Sequence, residues 1–580
     1  MDTDLQEERG TQDKERCKAN ITSEEYVDVL VRYREAERIM NDNSNICYQV
    51  ISDGWVAIYL KNGMVPFPNY KDYGYYSVPK LYGLMERSSM VESGILEVQN
   101  QSALNLLGTD VIIGFVDTGI DYLHSAFKDA NGKTRIYSIW DQTDNTGTTP
   151  DGFFYGSEYD EAQINEAIES ESPEKIVPQQ DELNGHGTFL AGIAAGSDLG
   201  NNFTGAAPNS RIIMVKLRPA KQALRDFFLI NEEAVAYSES DIMLGMRYLY
   251  ETALKAGKPL VICFGLGTSY GPHTFGTPLT QMMGELADMA QTVVVLPTGN
   301  EANSRHHYLG RFYNNQDYVS VEVRVGENER GFIMELWGQQ PDIYSVEIIA
   351  PSGEIVRRLP ARNEVNYQAD FIYEPTVIDI DYRIVETING NQLIAMRFDN
   401  PSPGIWQIRV YNDNLLAGYF NMWLPISEFL SGDTYFINSS PYVTLTMPSS
   451  AYYPIAVSAY NHRDNSIWID SGRGYGANGI IKPEIAAPGV LVYGPRAGGN
   501  HDGFTTKSGT SVAAAHVAGA AALLLEWARR GEAYNISNTS DVKALLILGT
   551  QRDRNRTYPN PEWGYGRLDI AGTFEKLSGG

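Results

Sequence analysis

The run Gly509-Thr510-Ser511-Val512-Ala513-Ala514-Ala515-His516-Val517-Ala518-Gly519 constrains this chain more than any other stretch. A helix of Ala, Val and Gly carries little side-chain bulk, so it is useful mainly where it must pack closely behind something. A serine at its start is a costly choice unless its hydroxyl is used. Two upstream segments match it: Val116-Asp117-Thr118-Gly119-Ile120-Asp121 and Asn184-Gly185-His186-Gly187-Thr188. Together they supply a carboxylate, an imidazole and an alcohol in the order Asp, His, Ser. A serine hydroxyl becomes a nucleophile only when a neighbouring base takes its proton. Imidazole titrates near neutrality and suits that task, and a buried carboxylate fixes the ring's tautomer and orientation.

Each residue alone has a plainer reading: Asp117 as a turn residue, His186 as a structural histidine, Ser511 as a helix N-cap. Their flanks argue otherwise. Val111 to Val116 is an apolar run of strand length, which puts Asp117 at the C-terminal end of a buried parallel strand, where α/β sheets gather their ligands. Thr188 to Ala195 reads as a small-residue helix following His186, and Ser511 opens another, whose N-terminus favours negative charge. A fourth segment, Leu296-Pro297-Thr298-Gly299-Asn300, follows the strand Thr292–Val295. A fifth, Val261 to Gly267, is a strand whose bare backbone at Gly265 and Gly267 suits close approach of another chain. An ester hydrolase with a nucleophile elbow is disfavoured, because Gly509-Thr510-Ser511-Val512-Ala513 lacks the second glycine and the order is wrong.

These segments closely resemble the signatures of the subtilases (peptidase family S8). The resemblance implies a doubly wound parallel α/β sheet and a serine endopeptidase with Asp117, His186 and Ser511 as catalytic residues. It implies an oxyanion hole formed by the Asn300 side chain with the backbone N–H of Ser511. It also implies a substrate-binding edge at Gly265-Leu266-Gly267, where Ser-Leu-Gly is usual. A second departure is Ala515, where the family usually has proline.

The distance from Asp117 to Ser511 exceeds what a minimal catalytic domain needs, so something is inserted. After Asn300 the pattern turns to short alternating strands: Tyr318–Val325, Gly331–Trp337, Ser345–Ile349, Leu393–Phe398, Ile405–Tyr411 and Tyr419–Leu424. Turns such as Pro351-Ser352-Gly353 separate them, which reads as an inserted antiparallel β-sandwich of jelly-roll type. Near the N-terminus, Ser23 to Asn41 reads as an amphipathic helix with Tyr26, Val29, Leu30, Tyr33 and Met40 near one face. A hairpin follows through Ser52-Asp53-Gly54. The expected domains are 1–86 (an α+β prodomain), 87–307 and 447–580 (catalytic), and 308–446 (the insertion).

This layout is similar to the Csp-type subtilisin-like proteases of clostridia. That resemblance implies cleavage of the prodomain by the enzyme itself, between Leu81 and Val91, and processing of a protein zymogen, a cortex-lytic enzyme, in spore germination. The alternative function is a regulatory scaffold that cuts only its own prodomain.

Composition sets the outer limits. Three cysteines (Cys17, Cys47, Cys263) imply no disulfide framework, and a Cys17–Cys47 link is not expected. Cys263 reads as a small buried hydrophobe. A net charge of −26, spread along the chain, argues against nucleic-acid partners. The first twenty residues lack a signal peptide's apolar region, and no stretch reads as a membrane span, so an intracellular or spore-associated protein is expected. No cofactor is required. Acidic loops could bind Ca²⁺, yet no ligand spacing calls for it. Ser269, His273, His306 and His307 read as loop residues.

Overall fold

The computed structural model describes residues 26–32, 46–52, 55–61, 88–178, 181, 185–200, 203–313, 316–363, 365–386, 389–414, 416–531 and 536–578. The chain forms two compact units, Met1–Leu84 and Met85–Gly580. The first holds a three-stranded antiparallel sheet in the order Tyr26–Arg32, Trp55–Lys61, Cys47–Ser52. The helix expected at 23–41 is therefore a strand over Tyr26–Arg32. Beta-branched residues at 27, 29 and 31 favour extended backbone, and pairing with Trp55–Lys61 overrides the weak helical periodicity. Cys47 is buried and disulfide-bonded, against expectation. A count of three cysteines argues only against a framework, not against one cross-link. Cys17 and Asn184 lie outside the described residues, as does most of the stretch proposed for self-cleavage.

The second unit is built on a twisted sheet of nine strands. Its main path runs Ser466–Ile467, Ile455–Asn461, Thr292–Pro297, Leu260–Phe264, Ile112–Asp117, Arg211–Lys216, Ile136–Asp141, Ser157–Asp160, with Ile485–Pro488 beside Ile455–Asn461. The five central strands are parallel to one another. They are buried on both faces, and accordingly read as continuous apolar runs. One face packs against the helices His186–Ala195 and Thr510–Arg530. The other is covered by Glu239–Ala256 and Pro278–Asp288, through Ile242, Met246, Leu249, Met283 and Leu286.

The helix Thr510–Arg530 is long and apolar enough to cross a bilayer by length and composition, which the sequence reading missed. Protein buries nearly all of it, so it is the core helix of a folded unit. Its small residues are explained by what they touch. A Cβ at Gly519 would lie 2.2 Å from Ala206 Cβ and 2.8 Å from the Ala194 carbonyl oxygen. Near its far end, buried Glu526 accepts the N–H groups of Leu107 (2.8 Å) and Gly108 (2.7 Å), tying the helix to the segment before the central strand.

Between Asn300 and Tyr453 the chain builds a six-stranded and a five-stranded antiparallel sheet. Alternate residues of both meet in one core, including Phe332, Met334 and Leu336 from one sheet with Val323, Ile408 and Val410 from the other. Five strands escaped the sequence reading: His307–Arg311, Ile355–Leu359, Val365–Asp370, Val377–Arg383 and the two-residue Tyr435–Phe436. Four of these lie at sheet edges, and two of the four, Ile355–Leu359 and Val365–Asp370, are largely exposed, so little apolar alternation marks them.

Gly519→Ala should test how tightly the core helix is fitted. With backbone and Ala206 in the way, we expect destabilisation by about 1–3 kcal/mol, measured by denaturant unfolding. A stability equal to or above that of the parent would contradict the packing described.

Candidate active site

Asp117 is the last residue of its strand, His186 the first residue of its helix, and Ser511 the second residue of the core helix. The fold brings the three together at the C-terminal edge of the parallel sheet. His186 Nδ1 lies 2.8 Å from Asp117 Oδ1, and His186 Nε2 lies 3.2 Å from Ser511 Oγ. Asp117 is buried, whereas the His186 side chain keeps a quarter of its surface exposed. Asp117 Oδ1 also accepts the Thr118 N–H at 2.8 Å. Since the carboxylate accepts a hydrogen bond from Nδ1–H, neutral His186 presents the lone pair of Nε2 to the serine.

Burial by itself would lower the His186 pKa. The Asp117 charge and hydrogen bond outweigh it and hold the imidazole above its ordinary value, with Lys507 opposing and Asp181 assisting. The neutral, proton-accepting form is therefore lost at a higher pH than for a free histidine as the solution is acidified.

Asn300 lies at an exposed corner just past the strand Thr292–Pro297. Its Oδ1 accepts from the backbone N–H of Thr510 (3.1 Å) and from Thr510 Oγ1 (3.0 Å). That fixes the amide with its NH₂ group turned away from Thr510. Thr510 Oγ1 in turn accepts the Gly299 N–H at 3.0 Å, so the corner and the start of the serine helix are locked together. The Ser511 N–H lies in the first turn of that helix, where it has no partner within the helix. Glu301, next in the chain, is buried and held by His306 Nδ1 at 2.9 Å and by Ser427. Burial favours its neutral form, but those hydrogen bonds prevail and keep its carboxyl below the usual range.

Gly265 to Gly267 continue past Leu260–Phe264, which is an interior strand paired on both sides and not an edge. At the departure from Ser-Leu-Gly the backbone of Gly265 runs close against the catalytic side chains. A Cβ at position 265 would lie 2.6 Å from Leu190 Cδ1, 2.8 Å from Asp117 Oδ2 and 2.9 Å from His186 Cε1. Buried Asp117 Oδ2 correspondingly has no hydrogen-bond partner. Cys263 is buried and its thiol is pushed far up by that burial, so it is an inert apolar residue.

Several supporting residues escaped the sequence reading. Asp181 is buried and accepts from Thr118 Oγ1 (3.2 Å), the Gly185 N–H (3.0 Å), the Thr188 N–H (3.1 Å) and Thr188 Oγ1 (2.7 Å). It joins the Asp117 turn to the start of the His186 helix, and burial raises its pKa. Nothing in its spacing announces it. Ser269, His273 and His306 lie in loops as expected, whereas His307 opens a strand; all four are buried, His306 holding Glu301 and His273 stacking on Trp423 at 3.9 Å between ring centroids. Among the described residues no group of three or more His, Cys, Asp or Glu could hold a metal ion.

Comparison with known proteins points the same way. The family described as the subtilase family matches residues 108–323 and 436–566, more than half of the chain. The structure is similar to that of the Clostridium perfringens CspB protease, with a TM-score of 0.74 and 32% identity, over 84% of this chain and 97% of that one. Subtilisin-like protease SBT2.3 of Arabidopsis thaliana is 23% identical over 565 residues, 83% of this chain. The PII-type proteinase of Lacticaseibacillus paracasei is 23% identical over 457 residues, 72% of this chain. The chain spans 62% of the length of the first of these relatives and 22% of the second.

The His186–Asp117 pair sets the expected pH behaviour. The rate constant for acylation should fall as pH drops through the raised His186 pKa. Asp117→Asn removes the charge that raises it, so the inflection should move to lower pH while the rate falls roughly ten-thousand-fold. A pH–rate profile of kcat/KM for both proteins checks this; an unmoved inflection would contradict it.

Proposed function

This chain belongs to the subtilase family, and from that premise we propose that it works as a serine endopeptidase through an acyl-enzyme. The observation that carries the reading is the unbroken line of hydrogen-bonding contacts from Asp117 through His186 to Ser511. In the first step His186 Nε2 takes the Ser511 proton as Oγ attacks the carbonyl carbon of the scissile amide. Negative charge gathers on the carbonyl oxygen, where the Asn300 amide and the Ser511 N–H donate to it. Asp117 steadies the imidazolium. His186 then passes its proton to the leaving amine, the C–N bond breaks, and an ester to Ser511 remains. Water, deprotonated by the same imidazole, attacks the ester and releases the acid.

Preorganisation is what makes the site effective. Asn300 is held by Thr510, so its donors are aimed before the charge appears and need no reorganisation when it does. The substrate backbone lies along Gly265–Gly267 and adds to that segment as an extended strand.

The physiological assignment goes further. The likeness to the CspB protease and to the Csp-type layout supports removal of an N-terminal prodomain by the enzyme itself. It also supports a protein zymogen, a cortex-lytic enzyme, as the substrate during spore germination, within the spore or the cell that builds it.

The test is N-terminal sequencing of the purified protein together with turnover on a mixed peptide library. We expect a new N-terminus between Leu81 and Val91 and repeated peptide cleavage, with both absent in Ser511→Ala. Processing that persists in the mutant would refute self-cleavage. A single processing event with no turnover would point to the scaffold role instead. Asn300→Ala should lower kcat by about 10²–10³ with little change in KM, read by steady-state kinetics. An unchanged kcat would remove Asn300 from the mechanism.

A further inference from the structure

The two ends of the substrate segment are held by different parts of the molecule. Upstream, Gly265–Gly267 continue the strand Leu260–Phe264, which parallel neighbours fix on both sides. Downstream, residues 268–276 form a loop that reaches the helix Pro278–Asp288 with only an isolated bridge at Thr268. There the Met447 N–H donates to the Thr268 carbonyl at 2.8 Å and the Thr268 N–H to the Met447 carbonyl at 3.1 Å. Past that bridge the backbone has little of its own to fix it. Gly271 has a φ of +116°, which glycine adopts without strain, so local sterics leave the loop's direction open.

The inserted sandwich supplies what is missing. In its strand Gly331–Gly338, Phe332, Met334 and Leu336 enter the sandwich core, so Glu335 and Trp337 point out of the opposite face. Glu335 Oε2 accepts the Gly271 N–H at 2.9 Å and the Trp337 Nε1–H at 2.9 Å. The indole thus aims the carboxylate, and both bonds gain strength from its charge. Trp423, directly across the sheet from Glu335, stacks on His273. Two neighbouring side chains of the sandwich therefore grip the loop at positions 271 and 273. Between them, the Tyr270 ring lies against Phe228 at 4.9 Å between centroids.

Resting on the peptidase reading above, we propose that Glu335 is a positioning residue for the substrate: reaching from the insertion to Gly271, it holds the Gly265–Gly267 segment extended so that a peptide can add to it. Glu335 touches neither the reacting atoms nor the triad and acts through the loop. A segment loosened at its downstream end costs order each time a peptide pairs with it. That cost falls on the bound substrate and on the transition state alike, so it is read in KM and not in kcat. It also grows with the length of peptide laid along the segment. A small reagent that meets only Ser511 and the oxyanion donors does not use the segment and is indifferent to Glu335.

The test uses the full chain with internally quenched peptides that carry either one or four residues before the scissile bond, and a small fluorophosphonate as the reagent that bypasses the segment. For Glu335→Ala we expect KM for the longer peptide to rise by about fivefold, the scale set by one lost hydrogen bond, with kcat within about twofold of wild type. KM for the shorter peptide and the rate of Ser511 labelling should move by less than about twofold. Glu335→Gln, whose amide oxygen accepts from both N–H groups, should bring KM for the longer peptide back toward the wild-type value. Should the alanine variant fail to fold, Trp337→Phe, which removes the donor that aims the carboxylate, should raise the same KM by at least about twofold. An unmoved KM in the folded variants overturns the inference alone. So does an equal loss on both peptides and on labelling, or a glutamine variant as impaired as the alanine one. Failure of the wild type to cleave any peptide overturns the peptidase reading and this inference together.

Discussion

The bond from His186 Nδ1 to Asp117 Oδ1 is the constraint around which the rest of the molecule is arranged. It decides which imidazole nitrogen faces Ser511 and keeps the base strong enough to take an alcohol's proton. Its geometry depends on two elements that meet only in the fold: a strand ending at Asp117 and a helix beginning at His186. The strand is fixed by parallel neighbours on both sides, and the helix by the core helix that carries Ser511. Asp181 closes the arrangement by bonding to Thr118 on one side and to Gly185 and Thr188 on the other. Three polar groups are thereby placed on rigid scaffolding, which is the condition for chemistry that tolerates little misplacement.

The same packing that positions the site explains oddities in the sequence. The small residues of the core helix allow close approach behind Ser511. Gly265 lies directly against Asp117, His186 and Leu190, so its backbone passes close to the catalytic pair. The inserted sandwich is bound into the catalytic unit at several buried points. Glu335 accepts the Gly271 N–H at 2.9 Å, Trp423 stacks on His273, and Glu301 accepts from Ser427. Its returning chain bonds through the Thr446 N–H to the Thr298 carbonyl and through Met447 to Thr268. The insertion is thus tied to the catalytic unit by hydrogen bonds and ring stacking, even though its own core is separate.

Much of this was legible in the sequence, for a physical reason. Asp117, His186, Asn300 and Ser511 each sit at the end or the start of an element, inside a short segment whose glycines and apolar runs record local demands. Strands with one buried face, such as Tyr318–Val325 and Gly404–Asn414, announce themselves by alternation. What failed to show was long-range. Asp181, Glu301 and Thr446 matter through partners that no spacing predicts. The exposed edge strands Ile355–Leu359 and Val365–Asp370 lack the contrast that alternation needs. At Tyr26–Arg32 two periodicities competed, and pairing with a neighbouring strand, invisible locally, decided between them.

The claim at the centre is that one serine, out of all those in the chain, is activated by its surroundings. Treatment with a small fluorophosphonate, followed by mass spectrometry of the digested protein, measures this with no assumption about substrate. The account predicts one adduct per chain, on the peptide containing Ser511, and its loss in a folded His186→Ala variant. An adduct at another serine, or equal labelling with and without the imidazole, would contradict it.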